Sequence, residues 1–255
     1  MIVVLSGEGP TDLGQCGNAQ NICEDGNFQI GPMTVLLDQM LESRLDYSLR
    51  SISGGYQYVS ETALANKRKE VRQNNSRKVS LVGKKRSQET GHFYINAWML
   101  ADIAVQVEKE REDKVVAVLF RDCDGTRSSR AGLWSSKWES MNNGFDRASF
   151  SRGVSMLSNP KSEAWLLCAA QPLVVDCSCF EWISGNDASP NSAKSQLNGV
   201  FGVHKSADEL CKWLDENPID EDRLSSMPSF MAFKESLETA IAAVISSREG
   251  VPNFV

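Results

Sequence analysis

The succession of apolar and polar positions divides the chain into short buried-looking strands and amphipathic helices. Met1–Ser6 is a short apolar run and predicts a strand. Residues 13–32, rich in Gly, Asn and Gln, show no period and predict a loop. Pro32 then suits the first turn of a helix in which Met33, Leu36, Leu37, Met40, Leu41 and Leu45 recur at spacings of three and four. Leu49–Ser53 predicts a second strand, closed by Gly54 and Gly55. Phe93–Glu112 carries Phe93, Ala97, Leu100, Ala101, Ala104 and Val107 on one side, the mark of a long amphipathic helix. It delivers the chain into Val115–Arg121, where six of seven residues are apolar, with a β-branched bias and no polar alternation. A strand of that kind is covered on both faces, as in a parallel sheet. Gly153–Leu157 predicts a further strand, and Asn159 and Pro160 suit the cap and first position of a helix running through AWLLCAA. Residues 184–206 are rich in Ser, Asn, Gly and Ala and predict a loop containing Lys194. Ala207–Glu216 and Ser229–Ser247 predict helices, the second with Phe230, Phe233, Leu237, Ile241 and Val244 on one face. The stretch around Trp134 and Trp138 has no assignable pattern.

Strands alternating with helices indicate an α/β domain, and in open α/β sheets ligands bind outside the carboxyl ends of the strands. Two such ends carry acids: Glu8 in GEGPTD after the first strand, and Asp122 and Asp124 in RDCDGT after the central one. Residues two apart on an extended chain point the same way, so Asp122 and Asp124 can share a cation. If the two strands are neighbours, Glu8 joins them; taken alone, GEGPTD is a turn and a helix cap. Glu163 falls in a first helical turn, where a carboxylate already favours the helix dipole. Should that turn lie at a third strand's end, Glu163 becomes a further metal ligand, with Lys161 beside it for transition-state charge.

Composition narrows the chemistry. A net charge of −6 over 255 residues excludes a bulk-basic nucleic-acid binder. The basic charge is instead concentrated: nine Lys and Arg between Lys67 and Arg86, including Lys84, Lys85 and Arg86, face only Glu70. A solvated helix face and a footprint for nucleic-acid phosphates both explain this. Arg127, Arg130 and Lys194 are further candidate phosphate contacts. With only His92 and His204, and with cysteines lacking zinc-ligand spacing, carboxylates must carry any chemistry. Seven scattered cysteines without a signal-peptide pattern point to reduced thiols and a cytoplasmic protein. No apolar run approaches the roughly 20 residues that span a bilayer.

With Glu8-Gly9 after the first strand and Asp122-x-Asp124 after a later one, the chain resembles the TOPRIM superfamily of topoisomerases, primases and nucleases. GEGPTD, FRDCDGT and NPKSEAWLL together look like an uncharacterised bacterial TOPRIM-like family, related to OLD-type nucleases and often encoded beside ATPases in anti-phage defence loci. The resemblance implies a TOPRIM-like Rossmannoid core over residues 1–170, with a mostly parallel central sheet flanked by helices and a basic insertion around 56–92. Residues 171–255 would form a helical extension packed on that core. It also implies a nuclease dependent on Mg²⁺ or Mn²⁺ that cleaves DNA or RNA alongside an ATPase partner, with homo-oligomerisation left open. Glu8 would be a metal ligand or general acid/base, Asp122 and Asp124 metal ligands, and Glu163 an extra ligand. Lys161, Lys194 or Arg127 would neutralise the phosphate. Two alternatives stand beside this. DxDGT after an apolar strand also resembles the haloacid dehalogenase-like phosphatases, with Asp122 as nucleophile and Asp124 as general acid. A TOPRIM-like fold could equally serve as a non-catalytic module that binds a metal or a partner.

Overall fold

The computed structural model describes residues 1–74, 90–124, 131–171 and 176–249. In chain order the elements are β1 (Ile2–Ser6), β2 (Gly14–Cys16), β3 (Ile22–Glu24), β4 (Phe28–Ile30), α1 (Pro32–Leu45), β5 (Tyr56–Val59), α2 (Glu61–Asn74), α3 (Gly91–Arg111) and β6 (Val115–Asp122). There follow α4 (Ala131–Arg147), β7 (Gly153–Ser158), α5 (Ser162–Ala169), α6 (Ala193–Phe201), α7 (Ala207–Glu216), α8 (Glu221–Leu224) and α9 (Pro228–Glu249). The central sheet has the order β3-β5-β1-β6-β7. Its strands β5, β1, β6 and β7 are parallel, and β3 is added antiparallel at the edge. β2 and β4 form a separate antiparallel ribbon.

The continuous apolar character of β6 has the expected cause. Val116, Val118 and Phe120, with Val3 and Leu5 of β1, enter a core shared with α1, α5 and the C-terminal helices. Val115, Ala117 and Leu119, with Val4, enter a second core beneath α2, α3 and α4. Both faces of the sheet are thus covered, and the architecture is α/β with a mostly parallel sheet between helical layers. The C-terminal helices belong to the first core: Trp165 of α5 stacks on Phe233 of α9 at 5.6 Å and meets Phe230 edge-on at 5.3 Å. No helix of the described residues is long and apolar enough to cross a membrane.

Several local expectations are overturned. Leu49–Ser53 is not a strand; Leu49–Ser51 is a 3₁₀ turn, and the sheet strand is Tyr56–Val59. The turn is held by Asp38, fully buried on α1, whose carboxylate accepts from Ser48 Oγ, the Leu49 and Arg50 amides, Arg50 Nε and the Tyr56 hydroxyl. Gly55 precedes the strand instead of closing it, and a glycine is required there because a Cβ would lie 2.5 Å from the Leu49 carbonyl oxygen. Residues 56–59 are therefore sheet core, not part of a basic insertion, and Lys67, Arg68, Lys69 and Arg72 ride on α2. The predicted loop 13–32 contains β2, β3 and β4. The loop predicted over 184–206 contains α6, capped by Ser192, whose side chain accepts from the Ser195 amide. Asn159 does not cap α5: the helix starts at Ser162, and the cap position is Lys161. Trp134 and Trp138 lie on α4, stacked at 5.3 Å. Nor are all thiols reduced. Cys16–Cys23 and Cys168–Cys177 are disulfides, and Cys123, Cys179 and Cys211 take part in neither.

Candidate active site

The carboxyl ends of β1, β6 and β7 gather the acids that the motifs single out. Because β1 and β6 pair in parallel, Glu8 reaches the end of the neighbouring strand, and its Oε1 accepts from the Asp122 amide at 2.7 Å. Asp122 closes β6 opposite Ser158 of β7. Its Oδ1 accepts from Ser158 Oγ at 2.6 Å and from the Ser162 amide, at the start of α5, at 2.9 Å. Ser162 also donates through Oγ to Asp12 Oδ1 at 2.6 Å. One serine therefore holds two carboxylates side by side. Asp12 is fixed in turn because its carbonyl accepts from the Met33 amide and the Leu13 carbonyl accepts from Thr34 Oγ1, which ties the GEGPTD turn to α1.

This edge is short of positive charge. The Asp122 carboxyl lies well above the usual carboxylate range, first through burial and then through the neighbouring charges of Asp12, Glu163 and Glu8. Burial likewise raises Asp12, which also feels the charge of Asp124, and Glu163, which also feels those of Asp12 and Asp187. Glu8 keeps an exposed flank, yet the protein packed around its carboxyl raises it too, against the pull of the Asp122 amide and Arg121. Lys161 is the nearby cation, with Nζ 3.0 Å from Asp187 Oδ1 and 3.6 Å from Asp124 Oδ1. Burial works against its charge, but Asp187, Asp124 and Asp122 together raise it above the ordinary lysine value.

Of the residues named from sequence, Glu8, Asp122, Asp124, Lys161 and Glu163 come together at this edge. Asp124 does not continue the strand alternation: β6 ends at Asp122, and Asp124, at φ 49°, lies exposed with its amide bonded to the Pro160 carbonyl. Lys194, on α6, lines a separate cleft that Asp12 and Glu163 also line. Arg127, Arg130, Lys84, Lys85 and Arg86 lie outside the described residues. Four participants are additional. Asp12 and Ser162 carry the second acid, and Ser158 orients Asp122. Arg121 is buried, with its Nη2 3.0 Å from Glu61 Oε1. An arginine inside an otherwise apolar strand was itself a signal, since such a charge is rarely buried without a partner. A cleft of about 520 Å³ runs over this side of the edge, lined by Glu8, Arg121, Asp122, Asp124, Lys137 and His92 among others.

The donor set suits a hard divalent cation in kind: clustered carboxylate oxygens whose mutual repulsion a cation would relieve. Among the described residues, however, no three Asp, Glu, His or Cys side chains form a group that could hold a metal ion. Glu8 Oε1 and Asp122 Oδ1 are engaged by the donors named above. No protein-family model, curated protein or solved structure matches this chain.

Proposed function

We propose that the chain is a TOPRIM-like nuclease that hydrolyses phosphodiester bonds of nucleic acid with the help of Mg²⁺ or Mn²⁺. One observation carries the proposal: Glu8 and Asp122, from motifs more than a hundred residues apart, meet through a 2.7 Å hydrogen bond at the carboxyl edge of adjacent parallel strands. The resemblance of GEGPTD and FRDCDGT to TOPRIM motifs supports the same reading, and extends it to a defence effector working with an ATPase partner.

Among the described residues the acids at this edge do not converge as a three-ligand group, so Asp122 with Asp12, Glu163 and Glu8 would have to draw together around the cation, which would supply Lewis acidity to the phosphate and to the attacking water. The protein's own groups do the rest. Glu8, whose raised carboxyl retains a proton at higher pH than an ordinary glutamate, is placed to exchange a proton with the attacking water or the leaving oxygen. Lys161, half-buried and kept charged by its acidic neighbours, faces the developing charge on the phosphoryl oxygens. Ser158 and Ser162 keep Asp122 from rotating away.

The test is incubation of labelled DNA and total RNA with the protein in Mg²⁺ and in Mn²⁺. Glu8→Ala and Asp122→Ala are each expected to lower cleavage by at least about a hundredfold while leaving the circular dichroism spectrum unchanged. Retained cleavage in both would refute the proposal. Phosphomonoester hydrolysis with Asp122 as nucleophile is favoured by a different contact, Ser158 Oγ on Asp122 Oδ1, together with Lys161 between Asp124 and Asp187. That chemistry gives Glu8 no part. Hydrolysis of p-nitrophenyl phosphate that is lost in Asp122→Asn and unaffected by Glu8→Gln would establish it instead.

A further inference from the structure

Arg121 lines the active-site cleft as a buried cation to which the reaction proposed above gives no task. It stands on β6 immediately before Asp122, with its side chain only 4% exposed. A guanidinium carries five N–H donors in a rigid fork. Among the described residues two contacts engage it: Nη1 donates to the Phe120 carbonyl at 2.8 Å, and Nη2 donates to Glu61 Oε1 at 3.0 Å. The carboxylate partner differs in kind from the cation. Glu61 lies in the first turn of α2, lines the same cleft and keeps its side chain 54% exposed. A buried cation is thus met, through one oxygen, by an acid that water largely solvates.

For the fold alone this arrangement is costly. Taking a guanidinium out of water is offset only by close partners that satisfy its donors, and an apolar side chain of similar volume serves a strand as well or better. β6 is apolar from Val115 to Phe120, so a hydrocarbon side chain at the next position would simply have continued it. What the arginine adds is a cation fixed on the cleft wall with donors to spare, in the planar fork that fits two oxygens of one phosphate. Glu61 is the group such a phosphate would replace. An exposed glutamate is held in an ion pair by little, and exchanging its carboxylate for a phosphodiester replaces one unit charge by another, so the guanidinium needs no further counter-charge. Lys137, whose Nζ donates to the Cys123 carbonyl at 2.6 Å and stands 4.8 Å from the centre of the Phe93 ring, is a second cation on the cleft. Glu8, Asp122 and Asp124 line it as well, so an anion seated on Arg121 lies in the cleft of the acids proposed to act on it. We propose that Arg121 is the phosphate-binding residue of this site: its guanidinium takes two oxygens of a single phosphate group in place of the Glu61 carboxylate, which swings into solvent. That the phosphate belongs to a nucleic-acid strand rests on the function proposed above; the oxyanion site itself does not.

The experiment is a titration of the full chain, in EDTA so that no cleavage occurs, followed by NMR of its backbone amides. The two probes are inorganic phosphate and a short single-stranded oligonucleotide without terminal phosphates. Both are expected to shift the amides of Asp122 and of the first turn of α2. Glu61→Gln, which removes the competing carboxylate at an exposed position, should tighten both by about threefold or more. Glu70→Gln, the same change at an exposed position further along α2, should not. Arg121→Gln should weaken binding by at least about tenfold and, combined with Glu61→Gln, should abolish the gain that Glu61→Gln gives alone. A pair that serves only the fold predicts instead that Glu61→Gln leaves affinity unchanged. Should Arg121→Gln fail to fold, Glu61→Gln decides by itself. Unchanged or weaker binding in Glu61→Gln, a gain that persists without Arg121, shifts confined to other regions, or binding of neither probe would each overturn the inference. Phosphate bound as expected but no binding of the oligonucleotide, or no cleavage in Mg²⁺ or Mn²⁺, would uphold the oxyanion site and count against the nuclease. Cleavage at an undiminished rate in folded Arg121→Gln would keep the nuclease and overturn this inference.

Discussion

At the scale of single residues, Asp122 carries a heavy electrostatic burden. Its carboxyl is raised by burial and by three acidic neighbours, so the folded protein keeps a proton that the unfolded chain, at the ordinary value of 3.8, releases. The stability this group contributes is therefore fully present below that value and is lost as pH rises through the folded one. Asp122→Asn preserves an oxygen to accept from Ser158 and Ser162 while removing the charge. It is expected to raise the melting temperature at pH 7 by roughly 2–4 °C, the equivalent of about 1 kcal/mol in a chain of this size, and to flatten the fall of stability between acid and neutral pH. Calorimetry across that range checks both, and a lower melting temperature at pH 7 would contradict the account. Mg²⁺ should raise the melting temperature of the natural protein and not of Asp122→Asn. Glu8 and Asp122 were legible in the sequence because each follows an apolar strand in a glycine-containing turn. Asp12 was not, although it stands in the same GEGPTD motif, because its partnership with Asp122 runs through Ser162, 150 residues away.

At the scale of elements, the long periodic segments and the apolar runs of β1, β7 and α5 were read correctly, and the shortest or most polar elements were not. α1, α3, β6, α7 and α9 each repeat their pattern over two turns or more, or over an unbroken apolar run, and tertiary packing had nothing to override. β2, β3 and β4 are three residues each, too short for alternation to register. α6 was hidden by its serine, asparagine and glycine, and is held by the Ser192 cap and by burial of Leu197. The misplaced strand before β5 has a single physical origin in Asp38, whose five accepted hydrogen bonds, one of them the 2.9 Å ion pair with Arg50, turn the chain where hydrophobicity alone suggests extension. Asp38→Ala leaves Arg50 and the Tyr56 hydroxyl without their buried acceptor. It should destabilise the fold by about 3–5 kcal/mol, measured by urea unfolding. A loss below about 1 kcal/mol would show that the junction between α1 and β5 does not depend on this acid.

At the scale of the whole molecule, one apolar core runs from β1 and β6 through α5 to α9, so the helices after residue 176 are structural neighbours of the acidic edge. Phe233, fully buried between Trp165 and α9's own Phe230, joins the two halves. Phe233→Ala is expected to cost about 3–5 kcal/mol and to leave a single unfolding transition in which tryptophan fluorescence and circular dichroism coincide. Separate transitions would mean that the C-terminal helices fold as an independent unit. The same packing places Lys194, Lys205 and Phe201 within one cleft of Asp12 and Glu163, an arrangement without any linear signal. The amino-acid sequence alone determined the α/β class, the two-sided burial of β6 and the acids at two strand ends, because hydrophobic period and turn chemistry are properties of neighbouring residues. Only the tertiary structure decided that β1 lies beside β6, that Asp12 joins Asp122, and that the C-terminal helices wall a pocket, because strand order and helix docking depend on which distant surfaces bury one another.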